Sequence, residues 1–325
     1  MIKTTIGIAI ASTYGLLVRL LFGLLGDFMN IMSLSFLVLL PMLIGFVTVM
    51  LMPKRKVSRT SAFFMPWATS FVILVITMMF GIEGSVCWIL MYPLFAIFAG
   101  LGGFIAYRIR KKDLHSLDKD VDSIGRKDDL NVSFILLFIP LVAGFFEKEN
   151  LLHRKEIQLE KSIVLNAAPE KVWGKIISIN EITPGETHTG VAGALGFPKH
   201  VQTLLDTLAI GSRRSTVYQN GLVFEEVVTG YEAGKQLALA VKTDASKIPP
   251  AVMDEHIAIG GKYVDILEDT YHLELLAGGK TRLSLSSRFM INTPFNWYAG
   301  IWAKYIMGDI LKSELGLVEA RLKTE

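Results

Sequence analysis

Cysteine is almost absent. The chain of 325 residues holds one, Cys87, inside an apolar run, so no intramolecular disulfide forms and the redox compartment is not legible. Net charge is also small, at +3, and no basic stripe interleaves with aromatic residues, which argues against nucleic acid as a partner. Signatures of common chemistries are missing too. His188, His200, His256 and His272 form no HxxxH or HExxH arrangement, so no metal site is expected. No Gly-x-Ser-x-Gly elbow occurs, and "GFPKH" and "IGGK" lack the spacing and the Lys-Ser/Thr of a phosphate loop. No cofactor is implied.

Hydrophobicity is abundant but uneven. Hydrophobic residues make up 51% of the chain, and its mean hydropathy is +0.45. Residues 1–106 hold long apolar runs, whereas 147–325 have ordinary globular composition. A membrane span needs roughly 20 apolar residues to cross about 30 Å of hydrocarbon. Segments 5–26, 31–52, 62–81 and 86–107 meet that length, giving four expected transmembrane helices over 1–107. A fifth, short segment over 132–146 ("VSFILLFIPLVAGFF") spans, lies at the interface or re-enters; its sequence leaves the three open. Pro41, Pro93 and Pro140 fall inside these runs and are expected to kink them.

Short loops set the expected orientation. Lys54, Arg55, Lys56 and Arg59 follow the second segment, and Arg108, Arg110, Lys111 and Lys112 open a polar loop over 108–131. The alternate loops, "GDFMN" and "GIEGS", hold no Lys or Arg. That contrast places the N-terminus and both basic loops in the cytoplasm. If 132–146 crosses, everything after it is extracytoplasmic, although Lys148, Arg154 and Lys155 argue the other way. Arg19, well inside a span, is either functional or a snorkelling side chain with Asp27 or a lipid phosphate for company. Gly45, Gly81, Gly100, Gly102 and Gly103 leave self-association through the spans open.

The pattern changes from Glu156. "EIQLEKSIVL" puts Ile157, Leu159, Ile163 and Leu165 on one parity, as in a half-buried strand. Ala-Pro-Glu then opens a short helix with Val172, Trp173, Ile176 and Ile177 on one face. Residues 180–200 read as a Gly- and Pro-bearing loop. "SRRSTVYQ" and "LVFEEVVTG" are joined by Asn220-Gly221, a strong hairpin signal, and "EAGK" turns into "QLALAVKT". Residues 244–262 are less regular. A second hairpin, "YHLELLAGGKTRLSLSSRFMI", turns at Gly278-Gly279, and Thr293-Pro294 is expected to start a long helix to about residue 322.

The ordered set "APEKVW", "IGSRR", "GLVFEEV", "IGGKYVDILEDTYHLEL" and "SSRFMINTPFNWYAGIWAKYIMGDI" resembles the START-like (SRPBCC) superfamily, which includes polyketide cyclase/dehydrase and lipid-transfer domains, in a membrane-tethered bacterial branch. The resemblance covers roughly residues 155–323. It implies an α+β helix-grip domain over 152–325, a curved antiparallel sheet wrapped around the long helix, with a cavity between them. It also matches Glu226 to the acidic position of an F-x-E pattern and Arg214 to an arginine of the same hairpin.

Trp302, Tyr305, Ile306, Asp309 and Ile310 fall near one face of the long helix. Asp309 there faces the cavity, pairs with a sheet arginine, or sits at a solvated margin. Glu226 and Arg214 are either a structural pair or a polar handle for a ligand head group. The candidate ligand-binding set is therefore Trp173, Arg214, Phe224, Glu226, Tyr263, Tyr271, Trp302, Tyr305 and Asp309. The first functional expectation is binding or transfer of an apolar small molecule, a lipid or isoprenoid, close to membrane lipids. The alternatives are a cyclase or dehydratase using a carboxylate and an aromatic hydroxyl, or a membrane sensor or channel gated by the soluble domain.

Overall fold

A computed structural model describes residues 2–26, 32–53, 57–116, 136–147, 152–183, 185–186, 190–244 and 257–323. The chain divides into a helical unit, over 1–83 and 88–151, and a mixed unit whose continuous body is Leu152–Glu325.

The helical unit comprises α1 (Ile2–Leu24), a π turn (Ser35–Leu39) running into α2 (Leu40–Leu51), α3 (Arg59–Met79), α4 (Ser85–Ser116) and α5 (Ile139–Phe146). Three helices are long and apolar enough to cross a membrane: Thr4–Leu24, Arg59–Met79 and Val86–Lys111. Ser35–Leu51 is apolar but shorter. Helix α4 continues beyond residue 107, because nothing in "YRIRKKDLHS" breaks a helix and Arg110 caps its neighbour. The Arg110 guanidinium donates to the Val49 and Met52 carbonyls at the C-terminus of α2, at 2.5 and 3.0 Å. Residues 117–131 of the expected loop lie outside the described residues.

Prolines behave differently from expectation at one position. Pro140 occupies a first turn, where no helical N–H is lost, whereas Pro41 lies within the continuous stretch Ser35–Leu51 and Pro93 inside α4. The π turn just before Pro41 gives its ring room against the preceding carbonyls. Glycines carry the tight crossings. A Cβ on Gly45 would lie 1.8 Å from the Ala99 carbonyl oxygen, and one on Gly102 1.8 Å from that of Met42, so α2 and α4 touch backbone to backbone. Gly100 and Gly103 press on Phe63 and Ala62 in the same way. These glycines thus face neighbours of their own chain. Buried Arg19 pairs with Glu83 at 2.5 Å; Asp27 lies outside the described residues.

The mixed unit is a seven-stranded antiparallel sheet in the order β1-β7-β6-β5-β4-β3-β2. Strand β1 (His153–Leu165) is followed by α6 (Pro169–Ile177) and α7 (Val191–Leu195), which carry the chain to the opposite edge. A meander then returns through β2 (His200–Leu205), β3 (Arg213–Tyr218), β4 (Val223–Glu232), β5 (Gln236–Thr243), β6 (Val264–Leu276) and β7 (Lys280–Thr293). Strand β7 closes against β1, and α8 (Asn296–Lys323) packs on that pair. This is the helix-grip architecture.

Most elements follow their local chemistry. Ile157 and Leu165 are buried on one parity of β1, and Val172, Trp173 and Ile176 on one face of α6. Asn220 and Gly221 take φ of 61° and 81°, and the Tyr218 N–H donates to the Leu222 carbonyl at 2.8 Å across that turn.

Three features differ from expectation. The stretch 180–200 holds α7, and β2 begins at its end; β2 is six residues long and follows Gly and Pro. Strand β6 starts seven residues earlier than the alternation suggests, because a bulge between Ile266 and Glu268 breaks the period. Helix α8 starts at Asn296 rather than at Pro294, since the residue before a proline is held extended and Thr293 stays in β7. The Thr293 N–H and hydroxyl both reach the Asn296 side-chain oxygen, at 2.9 and 3.0 Å. Of the irregular stretch 244–262, residues 245–256 lie outside the described residues.

Candidate functional site

One cavity of about 110 Å³ lies between the sheet and α8, lined from β2, β3, β4, β6, β7, α7 and α8. Its apolar wall includes Phe224, Leu285, Met307 and Leu311. Strand parity brings polar groups into the same space, because Arg214, Thr216 and Glu226 occupy inward positions of β3 and β4 and stay buried.

Those polar groups form a continuous chain. Glu314 on α8 meets His200 Nδ1 at 3.0 Å, and His200 Nε2 meets the Thr203 hydroxyl at 2.7 Å. Thr203 and Thr216 Oγ1 lie 3.2 Å apart, and Thr216 donates to Glu226 Oε1 at 2.9 Å. Glu226 Oε2 accepts from Arg214, whose remaining donors reach the Ile176 and Ile177 carbonyls at the end of α6, at 3.2 and 3.4 Å. The arginine also lies 5.8 Å from the Tyr271 ring centre.

Proton bookkeeping gives this chain a direction. The Thr216 hydrogen goes to Glu226, so Thr203 donates to Thr216 and His200 Nε2–H donates to Thr203. Nδ1 then faces the Glu314 carboxyl, and a hydrogen bond there requires one more proton, on the ring or on the acid. Arg214 and Glu226 thus pair with each other across the hairpin, and Arg214 closes the end of α6. Burial works against the arginine's charge, but Glu226 and Tyr271 outweigh it and hold its pKa above the ordinary value.

Asp269 is different. It sits on β6 with Tyr271 and Leu273 on the same parity, opposite Ser287 of β7, and lines the cavity. Its Oδ1 is buried without a hydrogen-bond partner. The residue is half-buried, and the Ser287 hydroxyl opposite it is likewise buried without a hydrogen-bond partner. Burial raises its pKa from 3.8 to about 7; the Ser287 hydroxyl opposes the rise, while the Glu226 charge adds to it. Burial also pushes the Tyr271 and Tyr218 phenols well above their usual value, so both stay protonated hydroxyls.

The sequence candidates distribute as follows. Arg214, Phe224, Glu226, Tyr271 and Asp309 line the cavity. Asp309 accepts from the Ala192 N–H at 2.9 Å, tying α7 to α8. Trp173 and Tyr263 are buried away from the cavity lining. Trp302 is half-buried and not part of the lining, and Tyr305 is 55% exposed. The inward face of α8 instead runs through Ile306, Met307, Leu311, Leu315 and Val318. Asp269, Tyr218, His200, Glu314, Thr203 and Thr216 were not singled out as ligand residues. For Asp269 the parity shared with Tyr271 and Leu273 ran only downstream, because the bulge after Ile266 breaks it upstream. For His200 and Glu314, which are 114 positions apart, no signal existed.

No protein-family model matches the chain, and no curated protein matches it. Solved structures that resemble it include a START superfamily protein from Mycobacterium smegmatis, with 13% identity, 51% of this chain and 97% of that one covered, and a TM-score of 0.35. A truncated norcoclaurine synthase from Thalictrum flavum gives 14% identity, 54% and 96% coverage, and 0.31. A protein of unknown function from Staphylococcus aureus gives 8%, 53% and 99%, and 0.32.

Proposed function

We propose that the chain is a membrane-anchored binding module for one apolar small molecule that presents a hydrogen-bond donor to Asp269. The observation that carries this reading is the cavity between the sheet and α8 with two facing polar atoms of its β6–β7 wall, Asp269 Oδ1 and the Ser287 hydroxyl, both buried without a hydrogen-bond partner. A buried acceptor and a buried hydroxyl that are left unbonded are costly, and a ligand hydroxyl, donating to Asp269 and accepting from Ser287, supplies partners for both.

Size narrows the ligand. An apolar cavity of about 150 Å³ holds a benzene-sized molecule, so about 110 Å³ accommodates a ring or the end of a chain. An entire lipid or isoprenoid enters only if α7 parts from α8, which means releasing the Asp309–Ala192 hydrogen bond. In this reading the apolar helices sit in the bilayer, Ser35–Leu51 and the 132–146 segment complete five crossings, and the N-terminus is cytoplasmic. The mixed unit is then extracytoplasmic, which reporter fusions at residue 325 test by their activity on either side.

Native mass spectrometry of the full chain, released gently from detergent, tests the binding. Expected is a co-purified small mass that Asp269→Ala loses and Tyr305→Ala keeps. An empty protein that also ignores apolar fluorescent probes would sink the reading.

Asp269 favours a second reading as well. A carboxyl that titrates near neutrality in an enclosed cavity is suited to general acid–base work, with the Tyr271 hydroxyl as donor. Incubating the captured ligand with fresh protein separates the two: a changed ligand mass, lost in Asp269→Asn with binding retained, marks an enzyme.

A further inference from the structure

The outer face of α8 carries an apolar stripe that the cavity does not use. Trp297, Ile301 and Tyr305 recur at every fourth position and are 64%, 65% and 55% exposed. Large apolar side chains in such a row on a soluble surface call for a partner. Their types are informative: Trp and Tyr, each an apolar ring with a polar tip, concentrate at the boundary between lipid and water.

Charge agrees with that choice. The first turn of α8 has no acidic residue, although helix N-termini favour one, and the only charged side chain before Asp309 is the exposed Lys304. The helix start is fixed beside the start of β1, where Thr293 is in register with His153 and Asn296 donates to the His153 carbonyl. Lys155, exposed, follows on the parity of β1 that Ile157 turns toward α8, whereas Arg154 lies on the other face, paired with Glu156 at 2.9 Å. Lys304 and Lys155 are therefore the cations beside the rings. The chain also arrives here from an apolar helix: Phe146, the end of α5, and His153 are seven residues apart, about 25 Å at full extension.

We infer that Trp297, Ile301 and Tyr305 dock the mixed unit on an anionic phospholipid surface, with Lys304 and Lys155 meeting the head groups. The inference rests on the membrane reading above and adds an attachment that the apolar helices do not provide. Docking through the first half of α8 holds the helix that roofs the cavity at the lipid boundary. An apolar ligand then passes between bilayer and cavity without crossing bulk water.

The test uses the full chain with Cys87→Ser and one new cysteine, Ile301→Cys or Leu275→Cys, carrying an environment-sensitive NBD fluorophore. Leu275, 65% exposed on β6, is the control. Each protein is reconstituted in nanodiscs of phosphatidylcholine with phosphatidylglycerol, with and without head-group-proximal spin-labelled lipid. Expected are a blue-shifted emission at 301 that the spin label quenches, and a solvent-like, unquenched signal at 275. Lys304→Glu should weaken the quenching, as should nanodiscs lacking phosphatidylglycerol. Solvent-like emission at 301 overturns the inference. So does a blue shift that lipid spin labels leave untouched, which would mean that protein, including a second copy, covers the stripe.

Resistance of the chain to carbonate extraction reports separately on the anchor. If the anchor fails, vesicles of the same composition added to the soluble labelled chain give the same two readings at 301.

Discussion

Two walls of one cavity treat buried carboxylates in opposite ways. On the β3–β4 wall, Glu226 receives both Arg214 and Thr216, and the arginine spends its other donors on the carbonyls that end α6. On the β6 wall, half-buried Asp269 keeps Oδ1 without a partner, as does the Ser287 hydroxyl opposite it. The first arrangement is complete without a ligand and belongs to the fold. The second is incomplete, and incompleteness in a folded interior is what a binding site looks like before its ligand arrives.

The largest expected effect breaks the complete wall. Glu226→Ala leaves the Arg214 charge buried and uncompensated, a loss of about 3–5 kcal/mol. Thermal unfolding of the full chain in detergent should show it, with the Arg214→Met/Glu226→Leu pair far less affected, because a well-packed apolar pair leaves no orphan charge. Equal damage from the single and double variants would mean that the pair also holds α6 in place by contacts that methionine does not restore.

The incomplete wall should respond with the opposite sign. Asp269 has a folded-state pKa of about 7 against 3.8 when unfolded. Below about pH 4 both states are protonated and the group costs nothing. As pH rises from there to about 7 the unfolded chain ionises first, so stability falls; above 7 the penalty is complete. Asp269→Asn should therefore stabilise the ligand-free protein at pH 8, by about 1–3 kcal/mol, and progressively less toward pH 4. Melting temperatures of the two proteins across that range check the sign. A constant offset would show that the carboxyl does not titrate there. The same variant should weaken ligand capture, which makes Asp269 a position where stability and binding pull apart.

Much of the fold was legible because it is written in local periods. The β1 alternation, the Asn220-Gly221 turn and the α6 face each need only neighbouring residues. Arg214 and Glu226 were also within reach, since a hairpin places them opposite one another. What escaped depends on distance or on a broken period. The bulge after Ile266 moved the inward face of β6 onto Asp269. His200 became part of the site through Glu314, which only the return of α8 brings to it. On α8 the acidic Asp309 drew attention to a face about two positions from the buried one, leaving Tyr305 outside and Met307 within.

The smallest effect is the sharpest test of whether the walls are separate. Thr216→Val keeps the side chain's shape and removes one hydroxyl from the chain between Thr203 and Glu226, at a cost of about 1 kcal/mol. Combined with Glu226→Gln it should cost clearly less than the sum of the two single changes, because both act on one hydrogen-bonded network. Combined with Asp269→Asn it should be additive to within about 0.5 kcal/mol, because the hydroxyl carries no charge and has no bond to Asp269. Strong coupling in the second cycle would join the walls into one network. Asp269 would then no longer be a vacant acceptor waiting for a ligand but the far end of the chain that begins at Glu314.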